Sequence, residues 1–325
     1  MMHRIARGRV HGFFALTLAL VAVAIGPGVG PSLQAGVAMA ATAPSLTIVR
    51  QSSPARSVVS DSAGWVATFT DGSQTVTLAG PKRTFSEAST PDKVVTTTWV
   101  RLLAKPFAGT VDQAWLTAAR ADRSPDILAI AFQYVSGASP VLNESGARIG
   151  GDASYGPLLA DGTRQEGSDF SDYLGLPWAY ADGTTDAPET DQVGALDCSG
   201  FVRMVLGYRG GLALSLRPTA GTLPRRAFEQ FAGGPGTVVI ANTGAAPASR
   251  SKLAPGDLVF FDASTNDGTQ IDHVGIFLGR DTAGHDRFLS SRKSADGPTM
   301  GDLSGRSVLD GTGLYARSFR AARRA

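Results

Sequence analysis

Ala195-Leu196-Asp197-Cys198-Ser199-Gly200-Phe201-Val202-Arg203 holds the only cysteine of this 325-residue chain. Asp197 is a strong helix N-cap residue. Phe201, Val202, Val205 and Leu206 follow it at helical spacing, so the thiol falls on the first turn of a helix. Main-chain N–H groups are unpaired at such a turn, and the helix dipole favours negative charge there. The position therefore favours the reactive thiolate. One cysteine cannot close an internal disulfide, which leaves two readings: a nucleophile, or a small buried apolar residue.

A nucleophilic thiol needs a base held rigidly within hydrogen-bond reach. Beyond residue 40 the chain has two histidines, His273 and His285. His273 opens the apolar run Val274-Gly275-Ile276-Phe277-Leu278, which reads as a strand. His285 lies in Ala283-Gly284-His285-Asp286, which reads as a turn. The strand position suits a base better. A third group normally fixes the imidazole ring. Arg287-Phe288-Leu289-Ser290-Ser291 is the hairpin partner of the His273 strand, and it offers Ser290 on the face opposite Leu289. Asp272, Asp262 and Asp296 stay open as alternatives.

The start of the chain reads as an export signal. Arg4, Arg7 and Arg9 precede the apolar run Phe13–Ile25, and Ala38-Met39-Ala40 supplies a small-x-small cleavage site. The expected protein is secreted, in the cell wall or otherwise extracytoplasmic. The run is too short to span a bilayer comfortably, so no stable membrane insertion is expected after cleavage. Residues 1–40 carry three Arg and no acid, and their removal leaves 27 basic against 28 acidic residues. That near-neutral balance argues against a nucleic-acid partner, which would need basic excess to neutralise phosphates.

Residues 41–149 read as a small N-terminal α+β domain of unknown role. Residues 41–60 are rich in Ser, Ala and Pro and read as a linker or loose edge. Gly64–Leu78 is a hairpin turning at Asp71-Gly72, and Val94–Leu103 is a further strand. Thr110 with Gln113 makes a capping box before Trp115, Leu116 and Ala119. Ser124-Pro125 opens a second helix. Residues 138–172 are polar and loop-like. Residues 150–325 read as the catalytic domain. The cysteine helix ends near Gly207, and residues 209–250 hold little beyond a short strand at Thr237–Ile240. Strands follow at Asp257–Phe261, Ile271–Leu278 and Arg287–Ser291, then a last strand or helix at Gly313–Arg320. Arg317, Arg320, Arg323 and Arg324 read as a frayed, solvated end. The fold class is α+β, a helix followed by an antiparallel sheet.

Three ordered segments carry a family resemblance. Asp197-Cys198-Ser199-Gly200-Phe201-Val202, Pro255-Gly256-Asp257-Leu258-Val259-Phe260-Phe261 and Asp272-His273-Val274-Gly275-Ile276-Phe277-Leu278-Gly279 resemble the signature segments of the NlpC/P60 cell-wall cysteine peptidases. Leu174-Gly175-Leu176-Pro177-Trp178-Ala179-Tyr180 resembles the segment that leads into their cysteine helix. The resemblance spans about residues 165–295. It implies a papain-like catalytic core and hydrolysis of an amide in peptidoglycan stem peptides, usually between D-glutamate and a diamino acid. It assigns Cys198 as nucleophile, His273 as general base and Ser290 as third residue, with an oxyanion held by N–H groups of the cysteine helix. No metal or organic cofactor is implied. Asp197, Ser199, Trp178 and Tyr180 are candidate substrate-binding residues. The family usually has His, Asn or Gln where Ser290 stands, and Tyr where Trp178 stands. Two rival functions follow from the same residues: a Cys–His amidase or acyl transferase on another substrate, and a non-enzymatic wall-binding protein with a decayed site.

Overall fold

The computed structural model describes residues 45–325; the export signal read at residues 1–40 lies outside them. No helix among the described residues is long and apolar enough to cross a membrane. Five strands form an antiparallel meander in chain order: β1 Thr47–Gln51, β2 Arg56–Asp61, β3 Gly64–Thr70, β4 Thr75–Phe85 and β5 Val94–Leu102. The hairpin predicted at Gly64–Leu78 is β3–β4, with Gly72 at φ 77° in its turn. Residues 47–61 are not a loose edge. β1 pairs with β2 and β2 with β3, and every residue of β1 is exposed. Main-chain pairing builds this edge without an apolar face, so composition alone could not show it.

Helices α1 Gln113–Ala121 and α2 Ile127–Ala131 follow. Their caps differ from the predicted ones. Asp112, not Thr110, accepts from Ala114 N and Trp115 N at 2.9 and 3.0 Å. Asp126, not Ser124, caps α2, and its carboxylate also takes both Nη groups of Arg83 at 2.6 Å and the Val100 N–H at 2.6 Å. In each case a carboxylate next to the first turn accepts more strongly than a hydroxyl further back.

After a short helix α3 Phe170–Leu174 comes α4 Cys198–Val202, which continues as π-helical turns over Arg203–Tyr208. The Gly- and Pro-rich stretch beyond it contains a helix that the sequence reading missed, α5 Ala227–Gly233, before β6 Thr237–Ile240. The remaining elements are β7 Leu258–Phe261, β8 His273–Arg280, β9 Asp286–Arg292, β10 Gly297–Thr299, α6 Leu314–Ser318 and β11 Phe319–Arg324. The second sheet is antiparallel with order β6-β11-β7-β8-β9-β10. The fold is α+β, with α4 packed on β8 and β9.

The basic C-terminus is not frayed. β11 lies inside the sheet, between β6 and β7. Arg324 is buried, pairs with Asp257 at 2.7 Å, and donates to Thr70 Oγ1 at 2.7 Å. The Thr75 N–H donates to the Ala325 oxygen at 2.7 Å. These bonds tie the second sheet to the first, and Val94 and Val100 of β5 share one apolar core with Phe201, Leu258 and Ile276.

Candidate active site

Asp197 caps the cysteine helix as expected, its Oδ1 accepting from Gly200 N at 2.7 Å. Gly200 is required by close approach: a Cβ there would lie 2.2 Å from the Ser168 oxygen. The cap and this contact fix the turn that carries Cys198. The thiol faces the main chain at the start of β8, with Sγ 3.9 Å from the Asp272 oxygen and the Val274 N–H directed at it. It is thus seated against the backbone on both sides of His273.

His273 Nε2 shares a hydrogen bond with Ser290 Oγ at 3.0 Å. Gly275 permits that approach, because a Cβ there would meet Ser290 Cβ at 3.0 Å and the Leu289 oxygen at 2.9 Å. The three aspartates left open are occupied elsewhere. Asp272 accepts from the N–H groups of Ala263 and Ser264, Asp262 pairs with Arg320 at 3.1 Å, and Asp296 pairs with Arg164 at 2.6 Å. His285 pairs with Asp310 at 2.7 Å, away from the thiol.

The structure thus brings Cys198, His273, Ser290, Asp197 and Ser199 together. Ser199 donates to Asp197 and accepts from Arg225 Nη1 at 2.7 Å. Trp178 packs edge-on against Phe170 and Tyr208. The Tyr180 hydroxyl accepts from buried Arg203 at 2.8 Å. Neither aromatic lines the cleft beside His273. That cleft, about 260 Å³, is walled by Tyr155, Glu166, Asp272, His273, Arg292 and Tyr315 among others. A larger cavity of about 520 Å³ lies at the far end of β8, around Arg250, Arg280 and Asp286, and has no nucleophile or base of this kind.

Sequence reasoning missed Tyr155. It is buried, and the main chain beside it is stitched to the cysteine segment: Ser154 N donates to the Gly194 oxygen and Leu196 N to the Ser154 oxygen. Asp296 accepts its N–H at 3.2 Å. Burial raises its hydroxyl pKa well above the ordinary value, and the nearby Cys198 adds to this, so the hydroxyl stays a proton donor. The one sequence signal was that Tyr155 is the only aromatic between Gly150 and Glu166.

The charge state differs from the sequence expectation. Burial first, then the Asp197 carboxylate, push the Cys198 thiol up to about 12, while the Val274 N–H and Arg225 pull the other way. The helix terminus is worth about 0.3–1 kcal/mol, less than the roughly 1.4 kcal/mol that moves a pKa by one. Burial therefore overrides it. Burial and then Arg292 lower His273 to about 3. The resting pair is a neutral thiol beside a neutral imidazole. Alkylation of Cys198 by iodoacetamide should accordingly be slow at pH 7 and climb about tenfold per pH unit to pH 10. Mass spectrometry of the adduct checks this; a plateau below pH 7 would contradict it.

Comparison with known proteins bears on the same residues. Residues 175–310 match the model of the NlpC/P60 family. No curated protein matched. Among solved structures, the chain is similar to one described as similar to lipoprotein, NLP/P60 family, from Staphylococcus aureus subsp. aureus Mu50. The two are 23% identical, with 46% of this chain and 36% of that chain covered and a TM-score of 0.25. The chain thus spans about a third of the length of that structure. Cys198, His273 and Ser290 fall within the family match, Tyr155 and Tyr315 outside it, and residues 175–310 of this chain form an NlpC/P60 family domain.

Proposed function

We propose that the chain is an extracytoplasmic cysteine peptidase that hydrolyses an amide in peptidoglycan stem peptides, of the D-glutamyl–diamino acid type. The observation that carries the reading is the seating of Cys198 on a capped helix start against the His273 turn of β8, with Ser290 on the far ring nitrogen. NlpC/P60 domains are typically cell-wall cysteine peptidases. Residues 150–325 act as the catalytic domain, residues 41–149 position it, and residues 1–40 direct export. No metal or organic cofactor is called for.

Nε2 is engaged by Ser290, so Nδ1 is the nitrogen left to take the thiol proton. As it does so, sulfur forms the C–S bond and the carbonyl electron pair moves to oxygen. The helix-start N–H groups and the Tyr155 hydroxyl donate to that oxyanion. Collapse breaks the C–N bond, and the imidazolium returns its proton to the leaving amine. Water then hydrolyses the thioester by the same base. Because thiol and imidazole both rest neutral, substrate must promote the proton transfer.

Tyr155→Phe should lower kcat by about 10²-fold, the cost of one oxyanion donor. Its thermal midpoint should hardly move, because the hydroxyl makes none of the protein's described hydrogen bonds. Steady-state kinetics beside a melting curve checks both. The overall reading is tested by mass spectrometry of purified peptidoglycan fragments incubated with the protein and with Cys198→Ala. New stem-peptide fragments confined to the wild type support it, and their masses identify the bond. The resting neutral pair also favours a second reading, a wall-binding protein with a decayed site; binding to sacculi without new fragments would establish it instead.

A further inference from the structure

Hydrogen bonding alone does not hold the base in place. Ser290 Oγ is the one hydrogen-bond partner of the His273 ring among the described residues. A hydroxyl both donates and accepts, so it satisfies Nε2 in either tautomer and does not select the one a base needs. A carboxylate or amide oxygen, which only accepts, would select it.

Packing supplies a different constraint, on the orientation of the ring. The Tyr315 ring centroid lies 5.5 Å from that of His273, with the planes inclined by 34°. Phe261 lies 5.7 Å from His273 and 5.4 Å from Tyr315, so the three rings touch pairwise. Tyr315 is itself held. Phe288 packs edge-on at 5.3 Å, and the Arg292 guanidinium lies 5.2 Å from the ring centroid. Arg292 is buried and donates to the main-chain oxygens of Gly305 and Gly301, and no carboxylate among the described residues pairs with it. A buried cation without an acid partner is costly. Its place over an aromatic face offsets part of that cost and immobilises the ring. Tyr315 belongs to α6, beyond the matched residues 175–310.

We propose that Tyr315, clamped by Arg292, is the positioning residue of the base, fixing the His273 imidazole so that Nδ1 faces Cys198. The proposal rests on the peptidase reading above. It assigns to ring packing the task that a stronger third residue performs by hydrogen bonding.

The test compares Tyr315→Leu, Tyr315→Phe and Leu309→Ala in the full chain, on the stem-peptide substrate. Leu309 is buried in the same apolar cluster and brings no aromatic ring to His273. Tyr315→Leu should lose about 10- to 100-fold in kcat with KM little changed, the cost of a misplaced catalytic group. Tyr315→Phe should restore most of the rate. Leu309→Ala should lower the melting temperature comparably and keep kcat. Ser290→Ala should cost more in the Tyr315→Leu background than alone, since each constraint covers for the other. A second readout does not need turnover: NMR of the His273 ring should show one sharp set of ring signals in the wild type and exchange-broadened signals in Tyr315→Leu, as the ring samples more than one orientation. Full kcat in Tyr315→Leu, or equal losses in Leu309→Ala, would overturn the proposal while the peptidase reading stands. An inactive wild type would overturn the peptidase reading, and an unchanged ring spectrum in Tyr315→Leu would still refute the positioning role.

Discussion

Cys198→Ala and His273→Ala are each expected to cost on the order of 10⁶-fold in turnover of the stem-peptide amide, and the double variant no more, because nucleophile and base act as a unit. Ser290→Ala should cost far less, about tenfold, since a lone hydroxyl at 3.0 Å is a weak orienter. Single-turnover kinetics on purified fragments measures all four. Additive losses in the double variant would mean that the two side chains do not share one step. The same pair sets the pH profile. Burial keeps the imidazole at about 3, so it gains a proton only as pH falls toward that value. Burial keeps the thiol at about 12, so it ionises only as pH rises toward that value. kcat/KM of the free protein is therefore expected to be flat from about pH 5 to about pH 9. An acid limb centred near the ordinary histidine value would show that the imidazole is exposed to water before substrate binds.

Arg203→Met is expected to destabilise the fold by about 3–5 kcal/mol, the cost of breaking a buried ion pair from one side. Arg203 is fully buried just behind the cysteine helix. Its Nε meets both oxygens of Asp169 at 3.0 Å, Nη1 donates to the Ser215 and Leu223 oxygens, and Nη2 donates to the Tyr180 hydroxyl. Methionine fills part of the space but strands the Asp169 carboxylate, whose remaining cation, Arg225, is 3.7 Å away. Two carbonyl oxygens lose their donor as well. The loss should appear as a lower denaturant midpoint with an unchanged slope. Asp169→Leu combined with Arg203→Met should lose less than Arg203→Met alone, because the Asp169 carboxylate is then no longer stranded and Arg225 keeps its pairing with Asp197. Equal losses would mean that the guanidinium's place over Phe170 and its main-chain hydrogen bonds, rather than its pairing with Asp169, carry the effect.

The network also shows how a site can be read in part from sequence. Asp197 before Cys198, and alternation through His273 to Leu278, are statements about neighbouring residues. Helix capping and strand pairing obey the same short-range rules, so the cysteine helix, the His273 strand and Ser290 on the partner strand were all legible. Arg203 was not legible as buried, because its carboxylate partner lies on a different segment. The C-terminal arginines misled for the same reason. A basic end reads as solvated until a central sheet position, with Asp257 waiting there, makes burial favourable.

The sequence by itself singled out Cys198 as the candidate nucleophile, His273 over His285 as the candidate base, Ser290 as a candidate third group, and the order of helix and strands. Each depends on residue type at fixed local spacing. Tertiary structure alone decided the charge on the pair, since desolvation depends on what covers a group and not on its neighbours in the chain. It alone brought Tyr155 and Tyr315 to the cleft from loops and a terminal helix outside the family match. It alone placed Trp178 in an aromatic cluster with Phe170 and Tyr208 and not in the lining of the cleft beside His273. Contacts between distant segments carry no periodicity to read, and they decide how this site is held.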